Sequence, residues 1–119
     1  DVLPTLTQLA GKPFPAWSEG KLLPGLGGVE DRSRSIYIVE AKLNPAFTAL
    51  TKTTIAMQKN DHKLIYYTGY EAEDSFELYD LTTDLEELDE KKKKKPAVAK
   101  ILKEELLDSL ADADKPYKK

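Results

Sequence analysis

The stretch 63-KLIYYTGYEAEDSFELYDLTTD-84 decides how this chain folds. Residues 62–67 (His62 to Tyr67) and 75–79 (Ser75 to Tyr79) are short runs dense in aromatic and branched side chains. Such side chains fit a pleated, half-buried surface, so both runs read as β-strands. Between them, Thr68 to Asp74 is small, acidic and carries Gly69, which reads as a loop. Four of the six tyrosines and one of the three phenylalanines fall inside the stretch, so a core built around it is aromatic. No catalytic pattern is visible within it.

Toward the N-terminus, Thr51 to Lys59 alternates Ile55 and Met57 against Thr54 and Ala56, which predicts another strand. Asn60 and Asp61 tolerate positive φ and suit a tight hairpin turn between it and His62. The strands between Thr51 and Tyr79 therefore form an antiparallel meander of three. Ser35 to Glu40 is a near-continuous β-branched and aromatic run, expected to be a strand buried on both faces. It is either a fourth member of the sheet or paired elsewhere.

Residues 12–34 hold Pro13, Pro15, Pro24 and Gly25-Leu26-Gly27-Gly28, a long irregular connection. The glycine cluster lacks the spacing of a phosphate loop and no strand precedes it. Trp17 is expected to be a packing anchor under this segment. A loop so long in a small domain points to a missing neighbour, so residues 1–34 are expected to pack poorly on their own. Ahead of it, Asp1 to Gly11 reads as a short helix. Asp1 can cap its free amides, Leu3, Leu6 and Leu9 recur at helical spacing, and Gly11 ends it.

Toward the C-terminus, Glu87 with Lys91, Asp89 with Lys93 and Glu90 with Lys94 are spaced four apart, acid first, which predicts a helical turn. Pro96 restarts the chain. From Pro96 to about Ala113, the residues Val98, Ile101, Leu102, Leu106 and Leu110 form an apolar stripe that needs a sheet face. Residues 114–119 are expected to fray. The fold class is α+β. A small antiparallel sheet of three to four strands packs against a C-terminal helix, and a short helix and long loop, residues 1–34, precede residues 35–119.

A chain of 119 residues fits one ordinary domain. The net charge of −3 argues against nucleic acid as a partner, and no apolar run is long enough to span a membrane. The absence of cysteine excludes disulfides, thiolate metal sites and a cysteine nucleophile within these residues. The start at Asp1, inside a helix pattern, is expected of a piece of a longer chain.

Each chemical candidate has a plainer reading that outweighs it. His62 beside Asp61 has the composition of a general base. Yet Ser18, Ser33, Ser35, Ser75 and Ser109 all lack the context of an activated nucleophile, so His62 reads as solvated or edge-capping. Asp80, Asp84, Glu86, Glu87, Asp89 and Glu90 crowd one segment without calcium-loop spacing, which reads as a solvated acidic turn. Lys91 to Lys95 could contact a polyanion, but the acidic block cancels it locally, so it reads as a solvated helix end. Glu71, Glu73 and Asp74 around Tyr70 lack the rigid pairing that glycosidic chemistry needs. No residue is therefore singled out as catalytic, metal-binding or cofactor-binding.

The order of these segments resembles the C-terminal portion of a sulfatase, in the alkaline-phosphatase-like superfamily. Asp1-Val2-Leu3-Pro4-Thr5-Leu6 through Ala10-Gly11 is similar to the helix that follows the family's last catalytic segments. Glu19-Gly20-Lys21-Leu22-Leu23-Pro24 resembles the phrase that comes next. His62 to Tyr67 resembles the family's K-L-I-bearing strand, Glu77 to Asp84 its E-L-Y-D-L phrase, and Pro96 to Leu110 its closing helix. Leu85 stands where the family has Pro, and Lys91 to Lys95 replaces a short polar stretch. Both departures fall on a surface turn.

The resemblance implies a parent enzyme that hydrolyses sulfate esters with calcium and a formylglycine made from a C-x-P-S-R or S-x-P-S-R motif. A phosphodiester or phosphonate hydrolase of the same superfamily is equally compatible with this portion. All the catalytic positions of the family precede this portion, so none is carried over. The implied role is structural, packed on the parent's catalytic domain beside the substrate cleft. A periplasmic or secreted parent and self-association of the isolated portion are further implications. The alternative is an autonomous α+β module that binds an anionic ligand or a partner protein.

Overall fold

The computed structural model describes residues 1–118. Helix α1 spans Val2–Leu9. Strands β1 (Ile36–Glu40), β2 (Thr53–Lys59), β3 (His62–Thr68) and β4 (Ser75–Asp80) follow, then helix α2 (Pro96–Asp114) and a 3-10 turn at Lys115–Tyr117. The chain divides into two compact units, Asp1–Asp31 and Arg32–Lys119.

The second unit is the α+β fold that the sequence implies. Its four strands lie in the order β1-β2-β3-β4, every neighbour antiparallel. Asn60 and Asp61 both take positive φ, 47° and 60°. That geometry matches the right-handed twist of the flanking strands and lets a two-residue turn close Lys59 onto His62. Alternation then sorts the side chains. Ile55, Met57, Leu64, Tyr66 and Leu78 fall on one face and are buried against Ala99, Leu102 and Leu106 of α2.

Two expectations about this core are corrected. Ile101 is 62% exposed, while Ala99 takes the place expected for it. Consecutive residues on a helix are about 100° apart, so a stripe centred on Leu102 and Leu106 turns Ile101 to solvent. The run Ile36 to Glu40 is exposed at every position, not buried on both faces. Among the described residues it pairs only with β2, and the buried face of the sheet lies over β2, β3 and β4. The C-terminus is also better held than expected. Asp114 is buried and its carboxylate accepts the Leu50 amide at 3.2 Å. Lys119, expected to fray, lies outside the described residues.

The first unit has its own bonding. Gly11, at φ 63°, and Lys12 donate to the carbonyls of Gln8 (3.0 Å) and Thr7 (2.8 Å), the Schellman pattern that ends a helix. Asp1 does not cap the first turn with its side chain. Its carboxylate accepts the Lys21 amide instead, at 2.8 Å. Thr5 is 2% exposed. Its hydroxyl donates to the Asp1 carbonyl (2.7 Å) and accepts from the Leu23 amide (2.9 Å). Residues 1–31 are therefore tied together by hydrogen bonds more than by apolar packing. Leu3, Leu6 and Leu9 are exposed, and Trp17, expected to be an anchor, is 75% exposed.

Candidate functional site

Three places in the second unit bear on function. The first is the end of the sheet where β2 turns into β3. His62 opens β3 opposite Asp80 of β4. Its Nδ1 lies 2.8 Å from the Asn60 carbonyl. A carbonyl only accepts, so Nδ1 carries the proton and Nε2 is left as an acceptor. The Lys95 ammonium donates to Nε2 at 3.1 Å and also pairs with the Asp80 carboxylate. Asp80 accepts further from the Thr82 amide (3.1 Å) and hydroxyl (2.6 Å). The Lys95 bond first, then those from Thr82, hold the Asp80 carboxyl well below the usual carboxylate range.

His62 and Asp61, neighbours in sequence, do not pair. Asp61 binds Arg32 at 3.2 Å, and its carbonyl accepts the Leu81 amide. Both ring nitrogens of His62 are engaged, and two of the serines are occupied elsewhere. Ser35 binds Glu105 and Ser109 binds Tyr37. The arrangement fastens the segment before α2 to the sheet, and has no activated nucleophile in it.

That fastening runs along the lysine stretch. Residues 91–95 close a single turn, the Lys95 amide donating to the Lys91 carbonyl at 2.8 Å, but Glu87 takes positive φ, 59°, and pairs with Lys63 at 2.7 Å. The Leu78 carbonyl accepts the Lys91 amide at 2.7 Å, and the Leu78 amide donates to Glu90 at 3.1 Å. Lys92 donates to the Phe76 carbonyl at 2.9 Å and lies over the Phe76 ring. The run expected to be a solvated helix end is thus half-consumed as a clasp on the outer edge of β4. Lys93 and Lys94 remain exposed, and Lys94 pairs with Asp89. Sequence spacing suggested helical pairs; the unsatisfied edge of β4 outcompetes them, since orphaned backbone groups cost more than exposed ion pairs contribute.

The second place is on the sheet face opposite α2. Tyr67 and Tyr79 both donate to the same oxygen of Glu77, each at 3.1 Å. Burial first, then the bond to Glu77 and its charge, push the Tyr79 phenol up to about 12. The same causes raise Tyr67. Both remain hydrogen-bond donors at neutral pH. Nearby, Tyr67, Tyr70, Glu71, Glu73 and Ser75 line a cavity of about 240 Å³. Its carboxylates repel an anion, so it does not suit a sulfate group. Asp74 points its bonding elsewhere, accepting from the Tyr66 hydroxyl at 2.5 Å. The tyrosine–glutamate cluster was not foreseen; Glu77 and Tyr79, two apart on β4, were its only local signal.

The third place is a shallow groove of about 100 Å³ beside β1, lined by Ile36, Ile38, Ala56, Gln58, Lys63 and Leu81 among others. Among the described residues, no three His, Asp or Glu side chains are grouped to hold a metal ion. No described helix is long and apolar enough to cross a membrane.

Fold and site together define a small α+β unit, a four-stranded meander with one helix across it, joined to a short helical segment. No family model matches the chain. The search of curated proteins likewise finds no match.

Proposed function

We propose that this chain is the non-catalytic C-terminal part of a sulfatase-like hydrolase, whose parent hydrolyses sulfate esters. Its role is structural, packing on the parent's catalytic domain beside the substrate cleft. The observation that carries the reading is positional. The phrases resembling the family fall in order on four of the elements, with Asp1 to Gly11 on α1, His62 to Tyr67 on β3, Glu77 to Asp84 on β4 and its turn, and Pro96 to Leu110 on α2. The Pro4-Thr5 pair has a physical use in that setting, because Thr5 ties the helix start to Leu23. The exposed leucine row of α1 supports it too, as a face without a neighbour inside its own unit.

Nothing at the lysine run favours the alternative of an anion-binding module, since the ammonium groups of Lys91, Lys92 and Lys95 are spent on Asp89, the Phe76 carbonyl and Asp80. The deciding test is the coding sequence immediately upstream of the Asp1 codon. An in-frame continuation carrying C-x-P-S-R or S-x-P-S-R is the expected result. A stop codon and a start signal just ahead of Asp1 would overturn the reading. The chain as it stands should show no turnover of an aryl sulfate.

A further inference from the structure

The two edges of the sheet are treated differently. The outer edge of β4 is clasped by Glu90, Lys91 and Lys92. Among the described residues of the second unit, nothing clasps the outer edge of β1 in this way. Lys59 and His62 close a two-residue turn and so exchange both backbone bonds. Strict alternation then turns Gln58, Ala56 and Thr54 toward β1, where they bond Ile36, Ile38 and Glu40. Tyr37 and Val39 therefore direct their N–H and C=O groups away from the sheet. Among the described residues, nothing bonds those outward groups. Apart from Glu40 at its end, the strand carries no charge that would blunt the edge, and neither proline nor lysine lies between Ile36 and Glu40.

We infer that β1 pairs antiparallel with β1 of a second copy of this chain, about a two-fold axis at Tyr37. The strand is complementary to itself in that register. Tyr37 meets Tyr37 and Ser35 meets Val39 as hydrogen-bonded pairs, using the outward backbone groups. On the face opposite α2, Ile36 comes against Ile38 of the second copy, and these are among the exposed apolar residues of the sheet. At both ends, Arg34 comes opposite Glu40, whose carboxylate makes long contacts among the described residues, 3.3 Å to Lys42 and 3.5 Å to Tyr70. Shifting the strands so that Ile38 meets Ile38 would set Ile36 against Glu40 and Arg34 against Lys42, which costs both the apolar pair and the charge match. That end-to-end charge match selects a second copy over an arbitrary extended segment. The inference goes beyond the sulfatase-like reading and does not rest on it.

Sedimentation velocity of the whole chain over a concentration series tests it. The expected result is a reversible monomer–dimer equilibrium. Ile38→Lys sits at a position 68% exposed, so the fold survives, as circular dichroism will show. It should raise the dimer dissociation constant at least about tenfold, because it blunts the edge with a charge. Glu40→Arg should do the same by setting two cations opposite each other, and Arg34→Glu added to it should restore dimerisation. A wild-type chain that stays monomeric throughout overturns the inference, whether or not another protein binds the edge. So does a dimer indifferent to both Ile38→Lys and Glu40→Arg. Those two variants decide the matter even if Arg34→Glu disturbs the fold.

Discussion

Asp80 is the residue on which the C-terminal half of the sheet closes. It receives Lys95 and both donors of Thr82, and Lys95 in turn reaches His62. A carboxyl held below its ordinary value in the folded state leaves the unfolded state binding more protons at acid pH, so stability rises with pH across that interval. The contribution is complete above the ordinary carboxylate range near pH 4 and is lost as pH falls through the depressed folded value. Asp80→Asn should therefore lower the melting temperature at about pH 6. Its deficit against the wild type should shrink steadily as the solution is acidified below the range near pH 4. Thermal melts across that range check this, and a deficit independent of pH would show that the charge of Asp80 is not what holds Lys95. Nothing in the spacing of Asp80, His62 and Lys95 announced their meeting. The three converge only because the hairpin register places His62 opposite Asp80, and register depends on a turn geometry that residue types suggest but do not enumerate.

At the scale of elements, the meander was legible because its strands alternate and its turn residues tolerate positive φ. What alternation could not tell is which strand is the edge. A β-branched run such as Ile36 to Val39 looks the same in the centre of a sheet and at its margin, since composition reports a fit to the pleat and not the number of neighbours. The helix α2 poses the same problem in rotation. Val98, Ile101, Leu102, Leu106 and Leu110 share a broad stripe, and only contact with the sheet chooses its centre. The structure puts Leu106 at 1% exposure and Ile101 at 62%. Leu106→Ala should cost about 2–5 kcal/mol, the usual loss for a buried leucine. Ile101→Ala should change stability by less than about 0.5 kcal/mol, because most of the side chain is already in water and alanine favours the helix. Denaturant unfolding of the two variants checks the pair together. Comparable losses would mean that Ile101 shares the buried part of the stripe with Leu106.

At the scale of the whole molecule, the two units differ in what holds them. The second has a continuous apolar core between sheet and helix. The first depends on a short helix, its Schellman stop and the bonds of Thr5 and Asp1, with most of its leucines exposed. An eight-residue helix is marginal by itself, and local opening is easiest where buried apolar contact is sparse. Amides of α1 should therefore exchange with solvent sooner than those of β2 and β3, by at least about tenfold. Thr5→Val keeps the shape of the side chain but leaves the Leu23 amide without its acceptor, a loss of about 1–3 kcal/mol for a buried group. It should speed exchange at Leu23 and through α1, while β2 and β3 exchange as in the wild type. Hydrogen exchange followed residue by residue reads both outcomes. Equal protection of α1 and the β2–β3 hairpin, or an effect of Thr5→Val that spreads through the sheet, would mean that the first unit does not open on its own.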